Sequence, residues 1–406
     1  MTITNKVSLK SVMAGNTPIA DVPDAPTIGA VTATGATTAT VAYTAAATGG
    51  TVTTFTATST PGSITATGSS PITVTGLTGN TSYTFKVKGT NSTATGPESA
   101  ASSSITTDVP AVEGAYFAGG YTGSTLDTIQ KVAFSNDAKT TLAATLTSAR
   151  SNGAGFANSG TAGYFAGGNV SWPTFTSGID KIVFAGDTKS TLSATLSTAT
   201  SSNGGFANSG TAGYSLGGYD GAFISRIDKI AFSADTKTTL AATLSATRAY
   251  IQGCANSGTA GYVASGYGGA YQSNLNKLAF SNDTVSVPAA TMTIDGTDSS
   301  AAANSGTAGY WAGGASSNGS SLRDIIDKVA FSNDTKTTIA AVLASNKYML
   351  AGCAKSGTAA YWAGGTSSLI DLIQKLTFSG ETRTTLSATL TAATQSMYAA
   401  ANSGTL

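Results

Sequence analysis

Tyr116-Phe117-Ala118-Gly119-Gly120 is a short aromatic strand closed by a glycine pair, and its equivalents begin at Tyr164, Tyr214, Tyr262, Tyr310 and Tyr361. Successive tyrosines stand 48, 50, 48, 48 and 51 residues apart. A period near fifty is the mark of an array in which each copy is one supersecondary unit that cannot bury its apolar face alone. With strand-like content, the period predicts a β-propeller, one copy per blade.

Each copy divides into four strand-like pieces. In the second these are Gly155-Phe156-Ala157-Asn158, Gly163 to Gly167, Ile179 to Phe184 and Thr191 to Leu196. The turns Ser159-Gly160-Thr161-Ala162 and Ala185-Gly186-Asp187-Thr188 join the first and last pairs. The glycine pair, intact in five copies and replaced by Ser265-Gly266 in the other, suits a strand near the axis. There only glycine lets backbones approach closely or take a positive φ. The first copy has no inner strand before Tyr116, whereas Met397 to Leu406 is an inner strand without a successor. That segment is expected to pair beside Ala115 to Gly119 and leave six blades with no open sheet edge.

Composition narrows the function classes. Only 10% of the 406 residues are charged, against about 25% in soluble domains. The 48 glycines, with abundant Thr, Ala and Ser, suit short strands and tight turns. A net charge of +1 without basic or acidic blocks offers no footprint for nucleic acid or an anionic membrane. There is no histidine, which removes the commonest metal ligand and general base. No Cys-x-x-Cys site or P-loop is present, so no metal or cofactor is expected. No apolar run nears the roughly 20 residues that span a bilayer, and the first residues lack a signal-peptide core. Synthesis in a cytoplasm is therefore expected. Cys254 and Cys353 each lie eight residues before a repeat tyrosine, in a slot that Phe156, Phe206 and Ala302 fill elsewhere. Both read as small core side chains in copies too far apart for a disulfide.

Three segments follow: a polar leader over 1–20, a small all-β module over 21–108, and the repeat array over 111–406. Asp21-Val22-Pro23 and Asp108-Val109-Pro110 bound the module. Within it, Thr38 to Tyr43 and Tyr83 to Val87 alternate as half-buried strands do. The run Leu77-Thr78-Gly79-Asn80-Thr81-Ser82-Tyr83 resembles the tyrosine corner of a fibronectin type III domain. Pro23-Asp24-Ala25-Pro26 and the Asn91 to Gly96 turn before Pro97-Glu98-Ser99 extend the likeness, and Tyr43 departs from it by standing where that family usually has tryptophan. The module reads as a spacer. The repeats resemble the kelch motif, without its outer-strand tryptophan: Leu142, Leu192, Leu240, Val287, Ile339 and Leu386 fill that approximate place. The fold these readings imply is all-β, a fibronectin type III-like sandwich followed by a six-bladed kelch-like propeller closed by the C-terminal strand.

The up-down strand order puts short, uniform turns on one face and variable loops on the other, where recognition usually lives. The variable face is expected to hold Trp172, Phe175, Tyr219, Phe223, Tyr267 and Tyr271, with Arg226 and Arg323 as polar partners and Arg150, Arg248, Asp220 and Asp295 nearby. Aromatic rings with a few polar groups suit flat saccharide or protein surfaces. The same rings could instead fill gaps between blades. Lys131, Lys181, Lys229, Lys277, Lys328 and Lys375 recur three residues before the third-strand aromatic. Each reads as a structural lysine paired with a turn aspartate such as Asp187 or Asp235.

Catalysis is not expected. Kelch-type copper oxidases need histidine, and the carboxylates sit mostly in the repeated turns. The pairing of these modules with this composition resembles virion structural proteins of tailed phages, cyanophage-like ones especially. That resemblance implies a tail, fibre or capsid-decoration protein on the virion. It would dock on other virion proteins through residues 1–20, form homo-oligomers there, and meet a host-surface glycan or protein. A secreted or cell-surface bacterial adhesin is the second reading, and an enzyme acting on glycans through Asp220 and Asp295 the third.

Overall fold

The computed structural model describes residues 21–107, 113–293, 296–316 and 321–402. The leader and residues 108–112 lie outside the described residues. Every regular element among them is a β-strand. They fall into two compact units, divided between Pro110 and Ala111.

The first unit has a three-stranded sheet (Thr27–Gly35, Thr38–Thr44, Ile72–Thr75) and a four-stranded one ordered Thr65–Thr67, Thr54–Thr60, Ser82–Thr90, Ile105–Thr106. Alternation turns Tyr83, Phe85 and Val87 inward from one sheet and Ala39, Val41, Ile72 and Val74 from the other. These side chains form the module's core.

The second unit has six four-stranded antiparallel sheets. In the second copy the order is Ala154–Asn158, Ala162–Ala166, Ile179–Val183, Thr188–Thr191. The three inner strands lie within one residue of the sequence reading, but the outer strand stops where Thr191 to Leu196 was expected to begin it. Past Thr191 the regular ladder is interrupted, although Leu192 and Leu196 still donate to the Ile179 and Ser177 carbonyls at 2.9 Å each, and Leu196 enters the core, 3% exposed. Burying that leucine breaks the regular register without ending the pairing.

Tyr398–Ala401 is the inner strand of the first sheet and pairs antiparallel with Gly114–Ala118, Tyr398 opposite Ala118 and Ala401 opposite Ala115. The inner strands of successive sheets pack on one another, and that of the second copy packs on Tyr398–Ala401. Room is minimal there: a Cβ on Gly155 would lie 2.0 Å from the Ala399 carbonyl oxygen.

Three sets of contacts join each copy to the next. First, the repeat lysine and repeat tyrosine of one copy share a carboxylate in the turn of the following copy. Tyr116 and Lys131 hold Asp187 (2.6 and 3.0 Å), and Tyr164 and Lys181 hold Asp235 (2.9 and 2.7 Å). Asp283, Asp334 and Glu381 continue the series, and Tyr361 with Lys375 returns to Asp137 of the first copy. Each lysine also lies over its own tyrosine ring, at 5.1 to 5.7 Å. The lysines are therefore structural, and their partners lie one copy away.

Second, a third-strand polar side chain caps a backbone N–H of the preceding copy. Asp180 accepts from Thr147, Asp228 from Ser197, Asn276 from Ser245, Asp327 from Thr293, Gln374 from Ala344 and Gln130 from Thr391. Third, six backbone hydrogen bonds run head to tail. Ser202 donates to Asn152, Tyr250 to Ser202, Asp298 to Tyr250, Met349 to Asp298, Ser396 to Met349, and Asn152 to Ser396, at 2.5 to 3.0 Å. All six residues have φ between 56 and 60°, a conformation costing roughly 1–3 kcal/mol per residue that persists only where the surroundings impose it.

The clasps differ in burial, which orders their contributions. Lys131 has 7% of its side chain exposed, whereas Lys328 has 29%. Asp187→Ala leaves a buried ammonium and a buried phenol without their acceptor, an expected loss of about 2–3 kcal/mol. Glu381→Ala exposes its partners to water and is expected to cost about 1 kcal/mol. Equal shifts of the urea midpoint in the two variants would contradict this ordering.

Candidate functional site

The loops after the glycine pairs are short hairpins, and three of them set an aromatic pair across the turn. Asn169–Ser171 and Thr174–Phe175 flank Trp172-Pro173 in the second copy. Tyr219 lies opposite Phe223 in the third copy, where Gly221 at φ 112° makes the turn. Tyr267 bridges Tyr271 in the fourth. The pairs touch one another and form one continuous ladder. Trp172 stacks on Tyr219 at 5.9 Å and meets Phe175 edge-on at 5.7 Å. Phe175 meets Tyr219 at 6.0 Å, Tyr219 meets Phe223 at 5.4 Å, Phe223 meets Tyr267 at 5.3 Å, and Tyr267 meets Tyr271 at 5.0 Å. Five rings are half-buried against each other, and Trp172 is 66% exposed. Such contacts add about 0.5–1.5 kcal/mol per pair beyond area burial, so the ladder is held in place before any partner arrives.

The polar residues read from the sequence are scattered. Arg226 bonds the Thr198 hydroxyl and lies 3.9 Å from Asp228, and Asp220 accepts from Thr198 at 3.0 Å. Arg323 is exposed on the fifth copy, outside the ladder. Arg150 and Arg248 do not lie on this face at all: they are 2% and 0% exposed. Arg150 pairs with Asp180 at 3.0 Å and covers the Tyr398 ring. Arg248 bonds the Ser265 and Asn274 carbonyls and the Ser245 hydroxyl, and burial lowers its pKa to about 10. Asp295 lies outside the described residues.

Two grooves adjoin the ladder. One, of about 520 Å³, runs between Trp172, Val170, Tyr121 and Gln395. The other, of about 350 Å³, is lined by Phe223, Tyr250, Tyr267, Tyr271, Tyr348 and Asp298. Met349 borders both. Burial pushes the Asp298 carboxyl up to about 7, against the opposing hydrogen bond of the Thr297 side chain. Tyr250, Asp298 and Met349 escape a motif search because five different residue types fill the six equivalent positions. Their register is the available signal: Asn152, Ser202, Tyr250, Asp298 and Met349 each stand twelve residues before a repeat tyrosine (164 − 152, 310 − 298).

In the first unit the Tyr83 hydroxyl accepts the Thr78 N–H at 2.9 Å, closing the corner that begins at Leu77. Residues 24–105 match the fibronectin type III domain family. This module is a fibronectin type III domain. In the position where that fold usually places tryptophan, the fibronectin domain has Tyr43 packed 4.4 Å from Phe55, its hydroxyl donating to the Gly68 carbonyl. The match covers none of the repeats. No curated protein matches the chain.

Proposed function

We propose that the second unit is a closed, six-bladed, kelch-like propeller and that the chain is a non-enzymatic display protein. Its aromatic ladder recognises a saccharide or protein surface, and the fibronectin domain serves as spacer. The contiguous ladder ending in exposed Trp172 carries this reading. A large ring left in water beside a groove, on a framework that is already ordered, is the usual composition of a binding hot spot. The cyclic clasps, caps and head-to-tail hydrogen bonds support closure. The carboxylates of the repeated turns are all engaged by lysine and tyrosine, which favours a framework role over acid–base chemistry.

The particle setting rests on the resemblance to tailed-phage virion proteins, with residues 1–20 as the docking segment. Cryo-electron microscopy of particles, with density for a six-bladed body, is its test. Recognition is tested on glycan arrays and whole cells with Trp172→Ala and Tyr219→Ala. Loss of a 2 kcal/mol contact is expected to weaken surface binding about 30-fold, while the Trp172→Ala chain stays folded and loses no more than the roughly 1–3 kcal/mol of its two ring contacts. Undiminished binding by both variants would sink the assignment of this face.

A further inference from the structure

The two grooves beside Met349 differ in chemistry. The larger one borders Trp172, and most of its described lining residues carry a hydroxyl or an amide and none of them is charged. The smaller one presents rings from the third and fourth copies, Phe223, Tyr250, Tyr267 and Tyr271, with Tyr348 and one carboxylate, Asp298. None of the described residues lining it is a lysine or arginine. At about 350 Å³ it lies at the small end of ligand sites, roughly 300–1,000 Å³, and is too small for an oligosaccharide. Aromatic faces carry negative quadrupole charge, and rings gathered around one anion make a field that selects cations over neutral groups of the same shape.

We propose that this groove binds the ammonium group of a small organic cation, a quaternary ammonium head above all, with the rings enclosing the methyl groups and Asp298 facing the charge. The groove is built for this independently of any partner. Asp298 is held by its backbone in the head-to-tail ring, donating to Tyr250 and accepting from Met349 at 3.0 Å each. Its side chain is held in turn by the hydrogen bond of the Thr297 side chain, beside the rings that line the same groove. Burial raises its pKa to about 7, which is what a carboxylate in an aromatic recess does when no cation shares it. A methylated ammonium fits better than a primary amine. It is weakly hydrated and loses little on entering a recess walled by aromatic rings.

This inference deepens the reading of the variable face as a recognition surface and rests on it. Its test titrates the full chain by NMR or calorimetry with choline and with 3,3-dimethylbutan-1-ol, the uncharged carbon isostere of choline. Choline is expected to bind at least about tenfold more tightly than the alcohol. Asp298→Asn, which accepts the same left-handed backbone, is expected to abolish that preference, and Tyr267→Leu to weaken choline binding about tenfold. Equal affinity for the two compounds, or choline binding unaltered by Asp298→Asn, overturns the proposal. Vesicles of phosphatidylcholine then separate sources: capture marks a displayed headgroup, and choline binding without capture marks a free solute, both in keeping with the proposal. If the choline preference is absent while Trp172→Ala still abolishes cell binding, the inference fails and the wider reading stands. The reverse pattern leaves the ammonium site and removes the wider reading.

Discussion

Deleting residues 397–406 is expected to abolish cooperative unfolding of the repeat unit. The segment supplies the inner strand Tyr398–Ala401 to the first sheet, which otherwise ends at Gly114–Ala118. Its residues belong to two cores at once: Met397, Ala399 and Ala401 pack with the sixth and first copies, and Tyr398 and Ala400 with the first and second. Tyr398 is 1% exposed, and its hydroxyl donates to the Gly167 carbonyl at 2.7 Å. That approach requires glycine next door, since a Cβ on Gly168 would lie 1.8 Å from the hydroxyl. Burial of one tyrosine and one methionine is worth about 2 kcal/mol each. The ladder bonds, the Asn402 carbonyl contacts to Ser159 and Gly160 and the edge of Gly114–Ala118 left unpaired add to the loss. The total is comparable with the roughly 5–15 kcal/mol that separates folded from unfolded domains. Denaturation followed by tryptophan fluorescence is expected to lose its sigmoidal transition, and limited proteolysis to cut within the repeats. A parental midpoint in the truncated chain would refute the role of this strand.

The second large effect is expected at Asp180. This carboxylate is 1% exposed and accepts from the Thr147 N–H and hydroxyl (2.8 and 2.5 Å), the Thr191 hydroxyl (2.8 Å) and Arg150 (3.0 Å). Burial alone pushes its pKa up. The hydrogen bonds from Thr147, the charge of Arg150 and the bond from Thr191 outweigh burial, and the carboxyl sits below its usual range. Asp180→Ala leaves Arg150, 2% exposed, as a buried charge without a counter-ion, and a loss of about 3–5 kcal/mol is expected. Asp180→Asn is expected to lose less, because the fourth copy places Asn276 at this point and still caps Ser245 at 2.8 Å. The sign with pH follows from the lowered pKa. The contribution is present above the unfolded value near 3.9 and disappears as pH falls through the lower folded value. The gap between parent and Asp180→Ala in chemical denaturation should therefore be widest near neutral pH and close in acid. A gap independent of pH down to about 2 would mean that the charge of Asp180 contributes nothing.

The residues differ in how far the sequence reveals their roles. The repeat tyrosine and its glycine pair are local: an apolar alternation ending in residues that tolerate φ of 70 and 112°, as Gly167 and Gly168 adopt, announces a strand and its end. The six aromatics of the variable loops were legible as a set because each follows a glycine pair, or Ser265-Gly266 in its place, by a few residues. Their union into one ladder was not, because it depends on how neighbouring sheets sit side by side. Arg150 and Arg248 look like surface residues by type and lie in the core, since their burial depends on carbonyls and a carboxylate from elsewhere in the chain. The outer strand of the second copy was misplaced for a related reason: Leu192 and Leu196 mark a core that the chain reaches where the regular ladder is interrupted, whereas the first and sixth copies keep Leu142 and Leu386 within the strand.

What the sequence alone determined is the unit and its number: six copies of a strand pattern near fifty residues long, preceded by a module with a tyrosine corner. What only the tertiary structure decided is which copy answers which. Lys131 finds Asp187 and not the Asp137 of its own turn, Lys375 finds Asp137, and Asp298 stands among rings from the neighbouring copies. Period and alternation report where a side chain lies along its own strand. Its partner is set by the stacking of one sheet on the next, which brings together residues from about thirty to well over fifty positions apart.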